Sequence, residues 1–158
     1  QLKDGVERKN FTLLMGRNDP VKGHKFAYSL DLDDLRVTGV DSAPEGVTAL
    51  GWVTEEEKWK LLQTAGVLIV PSEYEGQPMV ILEALAAGCP VIASENVPDL
   101  PSCVKTATLG DIDSWKSAIN NPVTENLEEA ISEHLIENVR RRWGEIYDNI
   151  IDSKTSTE

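Results

Sequence analysis

The fold of this chain is constrained most by two short apolar runs in which polar residues do not alternate with apolar ones. They are VLIVPS from Val67 and PVIAS from Pro90. A strand with one face in water alternates apolar and polar residues, whereas a strand buried on both faces forms a continuous apolar run. Helical patterns lie between these runs and four further candidate strands, FTLLMG from Phe11, LRVTGV from Leu35, VTALGW from Val47 and TATLG from Thr106. The order predicts an α/β fold with a central parallel sheet of about six strands.

The ends of two helices are marked by their residue types. TEEEKWKLLQTAG begins at Thr54, has Glu57 at the capping-box spacing and is expected to stop at Gly66. QPMVILEALAAG has Pro78 near its start and Gly88 just past its end, which is the usual asymmetry of helix termini. DIDSWKSAI and the long run TENLEEAISEHLIENVRRRWGEIYDNII are the remaining candidates, and the long run is expected to break near residues 132–134.

Length and charge restrict the class of protein. The 158 residues are the size of one domain, and we expect a single domain over residues 1–158 with an ordered core at about 11–151. The chain has 27 acidic and 15 basic side chains, a net charge of −12, which argues against a nucleic-acid partner. No apolar run approaches the ~18 residues of a membrane span and the first residues show no signal-peptide pattern. We therefore expect a cytoplasmic protein without a transmembrane segment, peripheral to a membrane at most through another domain.

The cysteines and histidines do not form a metal-binding pattern. Cys89 and Cys103 lie in unrelated contexts, and His24 and His134 add no metal-ligand spacing. We expect reduced thiols, no structural disulfide and no metal site.

The loop after the first strand carries two cations, Arg17 and Lys22, within GRNDPVKG. Parallel α/β sheets bind ligands at the carboxyl ends of their strands, so this loop is a candidate binding loop. Gly16 permits close approach of the backbone, and the two cations can clamp a diphosphate. A solvated basic turn is the alternative.

The loop after VLIVPS leads into a second candidate anion site. The helix that begins within residues 76–79 has free N–H groups in its first turn, and its dipole favours a negative charge there. Glu75 lies just before this helix, and Glu83 lies one to two turns inside it among Val, Ile, Leu and Ala. A buried carboxylate needs a partner, and the two hydroxyl groups of a ribose would serve. The alternatives are an internal salt bridge or backbone contact for Glu83, and the helix dipole alone for Glu75.

The segment PSEYEGQPMVILEALAAGCPVIAS resembles the donor-site motif of the group 1 (family 4) glycosyltransferases, PS-x-x-EG-x-P/G-x-x-x-x-EA-x-A-x-G-x-PV-I-A. Other segments resemble that family in the same order, namely LLMGRNDPVKG, VTGVDSAP, VTALGWVTEEEKWKLLQTAGVLIVPS and RRRWGEIYDNII. The resemblance covers roughly residues 11–151. It implies a Rossmann-like three-layer sandwich, the C-terminal half of an enzyme of the GT-B architecture, whose acceptor-binding N-terminal domain is absent from these residues.

The same resemblance implies a function. The chain would be the nucleotide-sugar-binding domain of a retaining, hexosyltransferase-like enzyme of polysaccharide or glycoconjugate biosynthesis. That enzyme would transfer sugar from a UDP- or GDP-type donor without a metal or other cofactor, and this half would be inactive alone. Arg17 and Lys22 would bind the diphosphate and stabilise the departing nucleotide, Glu83 would hold the ribose, and Glu75 would contact the transferred sugar. The backbone at Gly76, Gln77, Pro78 and Met79 would line the sugar and phosphates, and the main chain near Trp52 and Val53 would recognise the base.

Two other functions stay open. A non-catalytic nucleotide-binding or protein-interaction module of the same fold would share these features. A sugar-nucleotide epimerase would need acid–base groups in the cleft, for which His24 is the only candidate. The sequence does not identify the base, the sugar, the acceptor or the oligomeric state.

Overall fold

The computed structural model describes residues 7–76 and 78–132, which contain six parallel strands and five α-helices. The strands are β1 (Thr12–Leu14), β2 (Leu35–Val37), β3 (Val47–Ala49), β4 (Val67–Val70), β5 (Val91–Ser94) and β6 (Lys105–Ala107). The helices are α1 (His24–Ser29), α2 (Glu55–Thr64), α3 (Met79–Ala86), α4 (Ile112–Asn120) and α5 (Leu127–Ala130), and a 3₁₀ turn (Pro20–Lys22) precedes α1. Most of the long C-terminal helical pattern lies outside the described residues, so its expected break stays a prediction.

The strands form a single sheet in the order β3-β2-β1-β4-β5-β6, and every neighbouring pair is parallel. The predicted α/β fold with six parallel strands is therefore confirmed. From β1 the chain builds outward to β3 and then returns to place β4 on the other side of β1. Because the connections change direction there, the loops at the carboxyl ends of β1 and β4 diverge and leave a crevice.

Helices cover both faces of the sheet and produce the three layers. One face packs against α2, α3 and α5 through residues such as Leu62 and Leu85, and the other packs against α1 and α4. Trp115 of α4 is fully buried and donates its indole N–H to the carbonyl oxygen of Thr108 at 3.0 Å. Every residue of β4 and β5 is buried, which is the reason for their continuous apolar sequence.

The predicted capping box at the start of α2 is present. The Glu57 N–H donates to Oγ1 of Thr54 at 3.2 Å, and the Thr54 N–H donates to Oε2 of Glu57 at 2.7 Å. The helix ends at Thr64 with Ala65 as its C-cap, so Gly66 follows the cap at the predicted position, although its φ is not in the left-handed region. Gly66 instead permits close contact with the chain before β1, since a Cβ there would lie 2.9 Å from the carbonyl oxygen of Lys9.

The ends of α3 agree with the prediction. Pro78 lies at the start of the helix, in the N-cap position with φ −71°, and no side-chain hydrogen bond caps the helix. Gly88 follows the C-cap residue with φ +69°, the left-handed conformation expected of a glycine at this position.

Both cysteines are buried and free in the structure. Burial raises the pKa of the Cys89 thiol to about 11, which keeps it protonated at neutral pH. Within the described residues, no helix combines the length and apolarity needed to cross a bilayer.

Candidate functional site

The loops after β1, β2 and β3 meet through their backbones at the carboxyl edge of the sheet. The N–H of Gly16 donates to Oγ1 of Thr38 at 3.3 Å, and the N–H of Gly39 donates to the carbonyl oxygen of Gly51 at 2.7 Å. Gly39 has φ +71°, and a Cβ on it would lie 2.6 Å from the carbonyl oxygen of Gly16. A glycine is therefore needed here for the loop that carries Arg17 to rest on the loop after β2.

The loops after β1 and β4 are joined across the crevice. The N–H of Glu73 donates to the carbonyl oxygen of Val21 at 2.9 Å. Gly23 has φ +73°, and a Cβ there would lie 1.9 Å from the carbonyl oxygen of Pro71. This close contact brings Lys22, at the end of the first loop, next to Glu75 in the other.

Lys22 and Glu75 form an ion pair. The ammonium group of Lys22 contacts Oε1 of Glu75, and the hydroxyl of Ser72 donates to the same oxygen at 2.9 Å. The Glu75 side chain is 11% exposed, so these two donors are what compensate its loss of hydration. The partners of Glu75 are thus Lys22 of the loop after β1 and Ser72 of its own loop, in addition to any effect of the α3 dipole.

A cleft of about 330 Å³ lies between these loops and the start of α3. The guanidinium of Arg17 is exposed at its edge and has no partner among the described residues. Of the residues singled out from the sequence, the structure brings eight to the cleft lining: Gly16, Arg17, Lys22, Trp52, Val53, Pro78, Met79 and Glu83. Glu75 is not part of the lining, but it forms an ion pair with Lys22, which is. Gly76 is also outside the lining, and a Cβ on it would meet no atom within 4 Å. Gln77 lies outside the described residues.

Glu83 is not the lone buried carboxylate that its neighbours in sequence suggested. Its side chain is 27% exposed, and its Oε1 lies 2.9 Å from the ammonium of Lys58 on α2. The reason is that α3 presents Glu83 toward α2 and the cleft, not toward the sheet. The internal salt bridge considered as an alternative is therefore present, and the remaining carboxylate oxygen has no partner among the described residues.

Sequence reasoning missed Lys58, which also lines the cleft. The only local signal was its spacing from Glu55, with which it forms an i,i+3 pair at 2.8 Å. The contact with Glu83 spans 25 residues and depends on how α2 packs against α3. The Glu55 hydrogen bond raises the pKa of Lys58, burial opposes this effect, and Glu83 adds to it.

The first turn of α3 offers free donors to the cleft. The Ile81 N–H donates to the carbonyl oxygen of Pro78 at 3.0 Å, whereas the N–H groups of Met79 and Val80 have no acceptor among the described residues. The side chains of Met79 and Trp52 are 61% and 74% exposed and form an apolar border to the cleft. Free N–H groups beside cations provide the chemistry that binds an anion.

His24 does not face the cleft. It is the first residue of α1 and is 2% exposed, and neither ring nitrogen has a hydrogen-bond partner within the described structure. Burial lowers the pKa of His24, the nearby Gly16 backbone opposes the shift, and the charge of Lys22 adds to it. The one acid–base candidate for an epimerase is therefore a neutral core residue.

A larger cavity, of about 700 Å³, lies between residues 99–103 and 123–132. Its described lining includes Asp99, Glu125 and Glu129 but no Lys or Arg, so it is unsuited to a phosphate. The smaller cleft holds three cations in a chain whose net charge is −12. Between these two cavities, charge therefore favours the smaller cleft as the ligand site. In the described ranges, no group of three or more His, Cys, Asp or Glu side chains is arranged to hold a metal ion.

Comparisons with known proteins agree with this geometry. A family model described as glycosyl transferases group 1 matches residues 12–136. The O-antigen chain mannosyltransferase B of Escherichia coli is 36% identical over 98 residues, which are 61% of this chain and 22% of that protein. The matches to curated relatives span only 12% to 35% of the relatives' lengths.

Two solved structures show the same fold. TarM of S. aureus has a TM-score of 0.75 and 16% identity, and the match covers 92% of this chain and 36% of TarM. A structure of a TarM variant contains UDP. The catalytic domain of cholesterol-alpha-glucosyltransferase from Helicobacter pylori has a TM-score of 0.57 and 18% identity, with 77% of this chain and 91% of that domain covered.

Proposed function

This chain belongs to the group 1 glycosyltransferases, and from that premise we propose that it is the domain of a retaining enzyme that binds the nucleoside-diphosphate-sugar donor. One observation carries the proposal: Arg17, Lys22 and Glu83 line one cleft, and Glu75 is joined to it through Lys22. The cleft lies at the carboxyl ends of β1 and β4, where an open parallel sheet binds ligands.

Each group in the cleft matches one part of such a donor. Arg17 and Lys22 supply positive charge for the diphosphate, and the N–H groups at the start of α3 supply fixed donors beside them. The free oxygen of Glu83 accepts from the ribose hydroxyls, and the main chain at Trp52 and Val53 contacts the base. Glu75 is the carboxylate nearest to the transferred sugar.

The chemistry assigned to these residues is stabilisation of the leaving group. When the bond from sugar to diphosphate breaks, negative charge grows on the diphosphate, and cations already in place stabilise it without reorganisation. This role needs no metal ion, so we propose that donor binding persists in the presence of a chelator. We also propose that the acceptor binds to a second domain that is needed for transfer, because this chain matches only part of its relatives' length.

The first experiment is a thermal-shift screen with UDP, GDP, ADP and their sugars. A ligand of the native state raises the melting temperature as its concentration exceeds its dissociation constant. The UDP in a TarM variant makes UDP the first choice. A non-catalytic protein-interaction module predicts no shift with any of these ligands at millimolar concentration.

Calorimetric titration of Glu83→Gln then tests the assignment of the ribose. If Glu83 acted only through its charge, its removal would strengthen the binding of the negatively charged diphosphate. If Glu83 accepts hydrogen bonds from the ribose, its removal weakens nucleotide binding. We expect a roughly ten- to hundredfold loss of nucleotide affinity in a folded variant, the size of a hydrogen bond to a charged group.

Glu56→Gln is the matched control. Glu56 lies on α2, is exposed and does not line the cleft, so the same charge change should leave the affinity nearly unaltered. Unchanged or tighter nucleotide binding by a folded Glu83→Gln variant would contradict the proposal.

A further inference from the structure

Lys58 has no role in the function proposed so far, although it lines the same cleft as Arg17 and Lys22. Its ammonium lies 2.9 Å from Oε1 of Glu83 and 2.8 Å from Oε2 of Glu55. The Glu55 side chain is 82% exposed, whereas those of Lys58 and Glu83 are 18% and 27% exposed. The contact with Glu55 is thus a weak surface pair, and the contact with Glu83 is the one that is shielded from water.

The hydrogen-bonding capacity of this pair is not exhausted. An ammonium group has three donors; Lys58 hydrogen-bonds to Oε1 of Glu83 and to Oε1 of Glu55, whose other oxygen is also close but belongs to an exposed side chain that a ligand can displace. A carboxylate has two oxygens, and Glu83 uses only Oε1 within the described structure. One N–H donor and one carboxylate oxygen therefore remain next to each other at the cleft, which suits a hydroxyl group that both donates and accepts.

We propose that Lys58 and Glu83 together form a ribose clamp, in which Lys58 orients the Glu83 carboxylate and donates its remaining N–H to a ribose hydroxyl oxygen. The clamp rests on the proposed function, because it requires a nucleotide in the cleft. Lys58 also offsets the negative charge of Glu83, which would otherwise repel a diphosphate entering the same cleft.

The clamp predicts that Lys58 contributes to the distinction between ribose and deoxyribose. Calorimetric titration would use whichever of UDP, GDP and ADP the unaltered chain binds most tightly, and the 2′-deoxy form of the same nucleotide. We expect Lys58→Met to weaken ribonucleotide binding roughly tenfold and to reduce the ratio of the two affinities. Lys58→Arg keeps the charge and the donors, so it should retain more of that ratio than Lys58→Met.

Lys60→Met provides the matched control. Lys60 lies on the same helix but borders a separate hollow with Phe11 and Arg36. Its loss removes the same charge from α2 but no hydrogen-bond donor from the cleft. We expect Lys60→Met to leave the affinity ratio unchanged.

The outcomes separate the clamp from the function on which it rests. The clamp alone would be overturned if the unaltered chain binds the nucleotide and Lys58→Met loses the same affinity for the ribonucleotide as for the deoxynucleotide. Absence of nucleotide binding by the unaltered chain at millimolar concentration would overturn both. In a Glu83→Gln background, Lys58→Met should change the ratio less than it does in the unaltered chain, because only the direct contact of Lys58 with the ribose is left to lose. An undiminished effect would overturn the orienting role. If Lys58→Met does not fold, as judged by urea unfolding, Lys58→Gln takes its place in every comparison.

Discussion

At the scale of the residue, each glutamate of the cleft is matched with a lysine from another segment. Glu75 pairs with Lys22 of the loop after β1, and Glu83 pairs with Lys58 of α2. The spacing of the two carboxylates was evident from the sequence because both belong to one motif. Their partners were not, because each lies far away along the chain and its position depends on the packing of two elements. The environment of a charged side chain is thus less predictable than its presence.

His24 gives a prediction at the same scale. Its pKa is lowered in the folded protein, mainly by burial, and is about 6.5 in an unfolded chain. As the pH falls below about 6.5, the unfolded state takes up a proton that the folded state does not, so the free energy of unfolding should fall. Thermal melts of the unaltered chain and of His24→Asn between pH 5 and 7.5 should show a weaker dependence on pH in the variant.

A proton NMR titration checks the cause. In a His134→Asn chain the only imidazole signal belongs to His24, and its midpoint should lie below 6.5. A midpoint at or above 6.5 would contradict a neutral buried ring.

At the scale of the element, local sequence patterns predicted which strands and helices form, whereas contacts between distant segments determine the details of how they end. All six strands and the capping box of α2 follow from apolar runs and residue spacing that act within a few positions. The role of Gly66 could not be predicted, because its backbone is not left-handed and the glycine instead permits a contact with the carbonyl oxygen of Lys9. Contacts of this kind depend on neighbours in space, which sequence patterns do not reveal.

The α2 cap can be tested by Thr54→Ala. The variant loses the hydroxyl that accepts from the Glu57 N–H, and we expect the free energy of unfolding to fall by about 1 kcal/mol in urea titrations. Thr64→Ala is the control at the other end of the helix, where the hydroxyl donates back to the carbonyl oxygen of Lys60, and it should cost clearly less. Equal costs at the two ends would show that the cap has no special role.

At the scale of the whole molecule, the strand order explains why the candidate residues converge. Arg17 and Lys22 follow β1, while Glu75 and Glu83 follow β4. These two strands are neighbours in the sheet, although residues 15–66 lie between them in the chain. The sequence alone predicted a parallel sheet, and the family resemblance predicted which residues form a site at its edge. The strand order itself required the structure.

This arrangement predicts where a nucleotide should slow amide hydrogen exchange. We expect protection at residues 16–23 and 78–83, at the carboxyl end of the sheet, because a bound ligand suppresses local opening there. Residues 31–34, which precede β2 at the amino end, should exchange at an unchanged rate. Protection confined to residues 99–103 and 123–132 would instead identify the larger cavity as the binding site.

The ion pair between Lys22 and Glu75 has a consequence for the order of events. Under the proposed function, the ammonium that neutralises Glu75 also faces the incoming diphosphate, and its three donors would be divided between the two anions. Arrival of the donor would therefore weaken the ion pair of Glu75 and make its carboxylate more available beside the sugar. Before the donor arrives, Glu75 is not an uncompensated anion that would repel a ligand of the same sign.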